Sequence, residues 1–332
     1  MLDVIRFDFG ATVAPFGLTV RVETLALAAV VFAVLLLTAF GTGRMRSRAE
    51  AEPDGPARDG ARLRRDDLIL VAFGAVPGAV VGARLDYGLI HLDYFRGDPS
   101  RLIDPGQGGL ALTLAVVLGT ITGLAVARLL AAPIGRWLHV AAVPLLLGLG
   151  LGKLAMVLGA DGQGQFSSAG WATEYLRSGP WLSVGAGLPA LPSQALEGGL
   201  VLLAAVGMLA VPPVLRLRPR RWQMVARPGL APRREWWLLS GYRRFLTALC
   251  LWSLARFAAA FTWRDALVTG PFRAEQVVLI VVFAACVAIL VAGAVRQRRR
   301  ARAAANAANL AAGATGAADL PEPRSGLASP GR

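Results

Sequence analysis

Apolar residues in this chain come in long runs separated by short charged connections. Between Leu110 and Leu130 the only charged side chain is Arg128, and from Val277 to Val295 there is none. A helix rises 1.5 Å per residue, so about 20 apolar residues cross a hydrocarbon core of about 30 Å. Seven stretches fit, near 24–41, 68–92, 110–130, 138–159, 196–215, 245–263 and 276–295. The second and sixth contain charge, at Arg84 with Asp86 and at Arg256, and rest on length and on the loops around them. The pattern predicts an all-α, polytopic membrane protein with seven transmembrane helices. Residues 1–21 alternate apolar and polar around Ile5, Phe7 and Phe9, as an arm lying on the outer face would. Residues 22–300 form the membrane domain, and 301–332, rich in Ala, Gly and Pro, read as a disordered cytoplasmic tail.

Charge orients these spans. The connection after the first holds Arg44, Arg46, Arg48, Arg58, Arg62, Arg64 and Arg65, whereas the next holds only Arg96 and Arg101. The alternation continues, with Arg128 and Arg136, then Arg177 alone, then a cluster running from Arg216 to Arg234. Arg264 and Arg273 follow, and Arg296 to Arg302 open the tail. Cytoplasmic loops collect Arg and Lys, so the N-terminus is expected outside and the C-terminus in the cytoplasm. Overall, 55% of residues are apolar and only 17% charged, against about 25% charged in soluble domains, which excludes an ordinary soluble enzyme. The net charge of +14 lies in arginines between apolar runs, which argues for membrane topology and against nucleic acid. Cys250 and Cys286 sit inside apolar runs without metal-ligand spacing and read as core residues; neither a metal nor a cofactor is implied.

Ionisable residues within spans are costly, by about 2.5–3.5 kcal/mol on insertion scales, and are functional candidates for that reason. With the N-terminus outside, Glu23, Thr113 and Glu197 fall near outer ends, and Arg84, Asp86, Lys153, Asp161 and Arg256 fall in outer halves. Arg84, Tyr87 and His91 are spaced i, i+3, i+7 and share a helical face. Ala260 and Trp263 share a face with Arg256. Arg84, Lys153 and Arg256 at similar depth suit a phosphate, because arginine offers a planar fork and lysine a point charge. An outer-leaflet phospholipid headgroup would supply that phosphate. Two structural alternatives stand beside this reading: Arg84 with Asp86, and Lys153 with Asp161, as ion pairs.

Several segments together resemble one family. Gly82-Ala83-Arg84-Leu85, Asp93-Tyr94-Phe95, Asp98-Pro99 and Gln107-Gly108-Gly109 before a span are similar to the second and third helices of the bacterial prolipoprotein diacylglyceryl transferases. Leu188-Pro189-Ala190-Leu191-Pro192-Ser193-Gln194 before Glu197 resembles that family's Pro-Ser-Gln segment. Arg256-Phe257 and Gln276 follow in order, so the likeness runs from about Val20 to Val295. The chain departs from the family at several positions. Its histidines fall on Thr113 and Leu191, an asparagine on Met156, the glutamate of Arg-x-x-x-Glu on Ala260, and the first-span tyrosine on Glu23.

The resemblance implies a bacterial plasma-membrane enzyme that moves the diacylglyceryl group of phosphatidylglycerol, or of another anionic phospholipid, to the lipobox cysteine of an exported prolipoprotein. Arg84, Lys153, Arg256, Tyr87, Thr113 and Gln194 are then the expected lipid and phosphate contacts. Asp161, Glu23, Glu197 and His91 are the expected proton-handling groups. The alternative is a homologue on the same scaffold that binds phospholipid or lipoprotein without transfer.

Overall fold

The computed structural model describes residues 4–8, 12–14, 17–50, 66–104, 109–177, 185–216 and 241–318. Seven long helices lie where the apolar runs predicted them: α1 (Val22–Glu50), α2 (Asp66–Ile90), α4 (Thr113–Leu129), α5 (Ile134–Ala155), α6 (Ser193–Arg216), α7 (Tyr242–Ala259) and α8 (Ala274–Ala318), with a short α3 (Leu92–Arg96) after α2. Six of the seven are long and apolar enough to cross a membrane; α4 is apolar but only 17 residues long. The run 110–130, among the clearest in the sequence, therefore corresponds to the shortest of these helices. Its start is delayed because Asp86 of α2 accepts a hydrogen bond from the Leu114 backbone N–H at 3.0 Å, which supplies the N-terminal cap from outside the segment. Ahead of that cap, the Ala111 N–H donates to the Ala83 carbonyl at 3.0 Å.

The chain divides into two compact units, Met1–Cys286 and Val287–Arg332. In the second, residues 287–318 are helical, whereas a disordered tail was expected from 301. Alanine dominates 301–312, and alanine is the strongest helix former. The last residues of that segment, 319–332, lie outside the described residues. So do the arginine-rich connections 51–65 and 217–240 that carry much of the charge alternation.

In the first unit α5 is central, packing against α1, α6 and α7, while α2 packs chiefly on α4. That second pairing is tight because of glycine. A Cβ at Gly82 would collide with the Leu114 carbonyl, so the two backbones meet where Asp86 caps α4. Short strands form a cover beside the helix ends. β1 (Ile5–Phe7), in the N-terminal arm, runs parallel to β4 (Thr173–Tyr175), with Ile5 opposite Thr173 and Phe7 opposite Tyr175. β2 (Thr12–Val13) pairs with β3 (Val20–Arg21), and β5 (Leu267–Thr269) with β6 (Phe272–Arg273), both antiparallel. The cover is tied to the bundle by the Tyr175 hydroxyl, which donates to the Val157 carbonyl at 2.8 Å. Burial pushes that phenol up to about 12, so it stays a donor across the neutral range. Cys250 and Cys286 are buried with free thiols.

Candidate functional site

A cavity of about 300 Å³ opens between the C-terminal end of α2, the segment before α4, and the ends of α5, α6, α7 and α8. Its charged lining consists of Lys153, Arg256 and Arg264 against Glu197, Asp265 and Glu275, so formal charge is balanced. Tyr87, His91, Gln194 and Trp263 also line it.

Arg256 is the hub. It is 3% exposed, and a guanidinium so far from water requires both a counter-charge and hydrogen bonds. Its Nη1 donates to Glu197 Oε1 at 2.5 Å, and its Nε and Nη2 both reach Glu275 Oε1, at 2.7 and 2.5 Å. The Thr113 hydroxyl donates to that same Glu275 oxygen at 2.6 Å. Lys153 Nζ lies 3.3 Å from Glu197 Oε2, an ion pair without hydrogen-bond alignment, since that oxygen has no hydrogen-bond partner among the described residues. The Trp263 ring lies over both cations, 4.6 Å from the Arg256 guanidinium carbon and 5.9 Å from Lys153 Nζ. Its negative face adds about 0.5–2 kcal/mol of attraction to each cation. Four helices and one loop thus place two cations and two carboxylates within direct contact.

The expected residues divide into four groups. Lys153, Arg256, Glu197, Gln194, Tyr87 and His91 line the one cavity, with the Tyr87 and His91 rings 4.3 Å apart. Thr113 is fully buried behind the lining and acts on it through Glu275. Arg84 is directed elsewhere: it is not among the lining residues, and it donates to the carbonyls of Leu102 (2.7 Å), Gly109 (3.1 Å), Arg101 (2.6 Å) and Asp104 (3.1 Å). It clamps the loop that brings Leu110–Leu112 to the cavity. Gly109, at φ 75°, lets this loop lie on the Tyr87 ring where a Cβ would clash.

Glu23 and Asp161 form a separate cluster outside the lining. Glu23 is held by Arg21 at 2.6 Å and rests against Gly159, while Asp161 accepts from the Gly162 N–H at 2.8 Å. The two structural ion pairs considered from sequence are replaced. Arg84 takes carbonyls, Asp86 takes the α4 backbone and Lys153 takes Glu197.

Two contributors were not singled out from the sequence. Glu275 opens α8 immediately before Gln276; the only signal was a carboxylate in the first turn of an apolar run, which reads as ordinary helix-dipole compensation. Arg273 looks like a loop charge, yet it is buried and donates to the carbonyls of Asp265 (3.0 Å) and Trp263 (2.7 Å). It fixes the loop that presents Trp263, Arg264 and Asp265.

Comparison with known proteins places the sequence in a family. The sequence model of the prolipoprotein diacylglyceryl transferase family matches residues 20–292. The chain belongs to that family. It is 24% identical over 230 residues, 67% of this chain and 76% of the relative, to a protein of Bacillus cereus (strain G9842) named phosphatidylglycerol–prolipoprotein diacylglyceryl transferase. Proteins of the same name from Bacillus mycoides (strain KBAB4) and Bacillus anthracis are similar to the same extent. Of the positions where this family member departs from the expected pattern, Thr113 joins the cavity network, whereas Glu23 lies in the separate cluster. Thr113 is bonded to Glu275, and Ala260 is fully buried at the end of the helix carrying Arg256.

Proposed function

We propose that this protein is a phosphatidylglycerol:prolipoprotein diacylglyceryl transferase. It forms a thioether between the diacylglyceryl carbon of the lipid and the thiol of a lipobox cysteine, and releases glycerol phosphate. The observation that carries this reading is the buried arrangement of Lys153 and Arg256 around Glu197 in a chain that belongs to the family. Transfer needs cations where negative charge grows on the leaving phosphate, in surroundings dry enough for that charge to matter. Lys153 and Arg256 are such cations, and their carboxylate partners hold them in place before the phosphate arrives.

Exchange of a carboxylate for a phosphate oxygen on Arg256 keeps the fork satisfied, because the guanidinium offers more donors than the present bonds occupy. Tyr87, His91 and Gln194 then face the glycerol and peptide portions. All seven long helices cross the bilayer in this reading, α4 being aided by the uncoiled residues before it, with the N-terminus outside and the cavity toward the outer leaflet of the plasma membrane. The alternating arginine content of the connections supports that orientation. Loss of the signature histidine, asparagine and glutamate is what a binding homologue without activity would show; membership of a transferase family and the charged cavity favour the enzyme.

A bacterial strain depleted of its own transferase tests this directly. Expression of this chain should restore growth and lipid modification of lipoproteins. Stable membrane insertion without any lipidation would contradict the assignment.

A further inference from the structure

The geometry points to Glu275 as the catalytic proton acceptor, a role that rests on the transferase reading. Two carboxylates touch Arg256, and they are not equivalent. Glu197 is engaged on both sides, Oε1 by Arg256 and Oε2 by the charge of Lys153. Glu275 receives every one of its described donors on a single oxygen: Arg256 Nε and Nη2 and the Thr113 hydroxyl all reach Oε1. Its Oε2 accepts no hydrogen bond from a described residue, and the residue lines the cavity. One oxygen therefore fixes the side chain and the other is left for a cavity occupant.

The chemistry matches that asymmetry. A cysteine thiol of pKa about 8.5 is mostly protonated at neutral pH, and only the thiolate is a good nucleophile. In the proposed step the S–H proton passes to Glu275 Oε2 and the sulfur lone pair forms the S–C bond to the diacylglyceryl carbon. The C–O bond to the phosphate breaks, and its electron pair leaves on glycerol phosphate held by Lys153 and Arg256. The proton on Glu275 is then lost to that phosphate or to water. Glu275 serves two roles at once, since the contact that orients Arg256 also holds the acceptor next to the leaving group.

The test uses full-length protein, phosphatidylglycerol vesicles and a lipobox peptide, comparing wild type with Glu275→Gln and Glu275→Asp. Wild-type turnover should vary little between pH 6 and 8. Glu275→Gln should lower kcat about 100-fold or more, within the range of lost general-base catalysis. It should leave KM for the lipid within about threefold, and its rate should rise about tenfold per pH unit until the thiol itself ionises near 8.5. Glu275→Asp should recover part of the activity. If the Gln variant retains wild-type kcat, or if its loss is the same at every pH because Arg256 has merely shifted, Glu275 is not the acceptor. Absence of product from wild-type protein would overturn the transferase reading first, and the acceptor role with it. Retention of phosphatidylglycerol by each purified variant identifies any that has failed to fold.

Discussion

Arg84 and Arg256 each lie inside an apolar run and are both expected phosphate contacts, and the protein uses them in opposite ways. Arg84 is satisfied by four backbone carbonyls, whereas Arg256 is satisfied by two carboxylates. Carbonyls belong to the chain path, so Arg84 holds a loop in shape and its donors are committed. Carboxylates are side chains that can share or exchange a guanidinium with an arriving phosphate. The partner, more than the cation, decides whether a buried arginine holds structure or takes part in chemistry. The same contrast separates Arg273, on the carbonyls of Trp263 and Asp265, from Lys153, on Glu197.

The largest expected effect is at Arg256. Arg256→Ala leaves Glu197 and Glu275 buried beside each other without their shared counter-charge, a change worth about 3–5 kcal/mol in comparable buried pairs. Thioether formation should fall about 100- to 1000-fold or more, and thermal unfolding in detergent should shift downward. If both quantities stay near wild type, the hub role is wrong. Lys153→Ala is milder, since Glu197 keeps Arg256 as partner. It should raise KM for the phospholipid about tenfold, equal to about 1.4 kcal/mol, with Arg256 still oriented. A change in kcat alone would place Lys153 away from the ground-state phosphate.

Arg84→Ala sharpens the comparison from the other side. Losing charged donors to the loop carbonyls should cost about 1–3 kcal/mol of stability and raise tryptic cleavage at Arg101, while kcat falls by less than about tenfold. Arg84→Lys should not restore the loop, because one ammonium cannot reproduce a planar fork spread over four carbonyls. A loss of activity in Arg84→Ala as deep as that of Arg256→Ala would erase the distinction.

The smallest effect concerns Tyr175. Tyr175→Phe removes the bond to Val157 and should cost about 1 kcal/mol. Because the folded phenol titrates near 12 and a free one near 10, the native state holds the proton more tightly. That contribution is complete below pH 10 and fades as pH rises toward 12. The wild-type melting temperature should therefore drop more steeply than that of Tyr175→Phe across that window.

Helix positions were legible because apolar run length is a direct signal, and the convergence of Lys153, Glu197 and Arg256 followed from their depth in alternating spans. The partners were not legible. Arg84 meets carbonyls, which every residue carries and no sequence pattern marks. Asp161 parts from Lys153 because Ala160 turns the chain through the left-handed region at φ 56° after a 3-10 turn, and a run of apolar residues gives no sign of that turn. The start of α4 was misplaced because its cap, Asp86, comes from another helix. Glu275 stood at the edge of a span, where a carboxylate needs no special explanation until Arg256 is seen against it.

Mass spectrometry of a synthetic lipobox peptide after incubation with the purified protein and phosphatidylglycerol bears most directly on all of this. The transferase assignment predicts a cysteine carrying one diacylglyceryl group in thioether linkage, matched by an equal amount of released glycerol phosphate, with both products lowered about 100-fold or more in Arg256→Ala. An unmodified peptide from wild-type protein that still holds its phospholipid would contradict it.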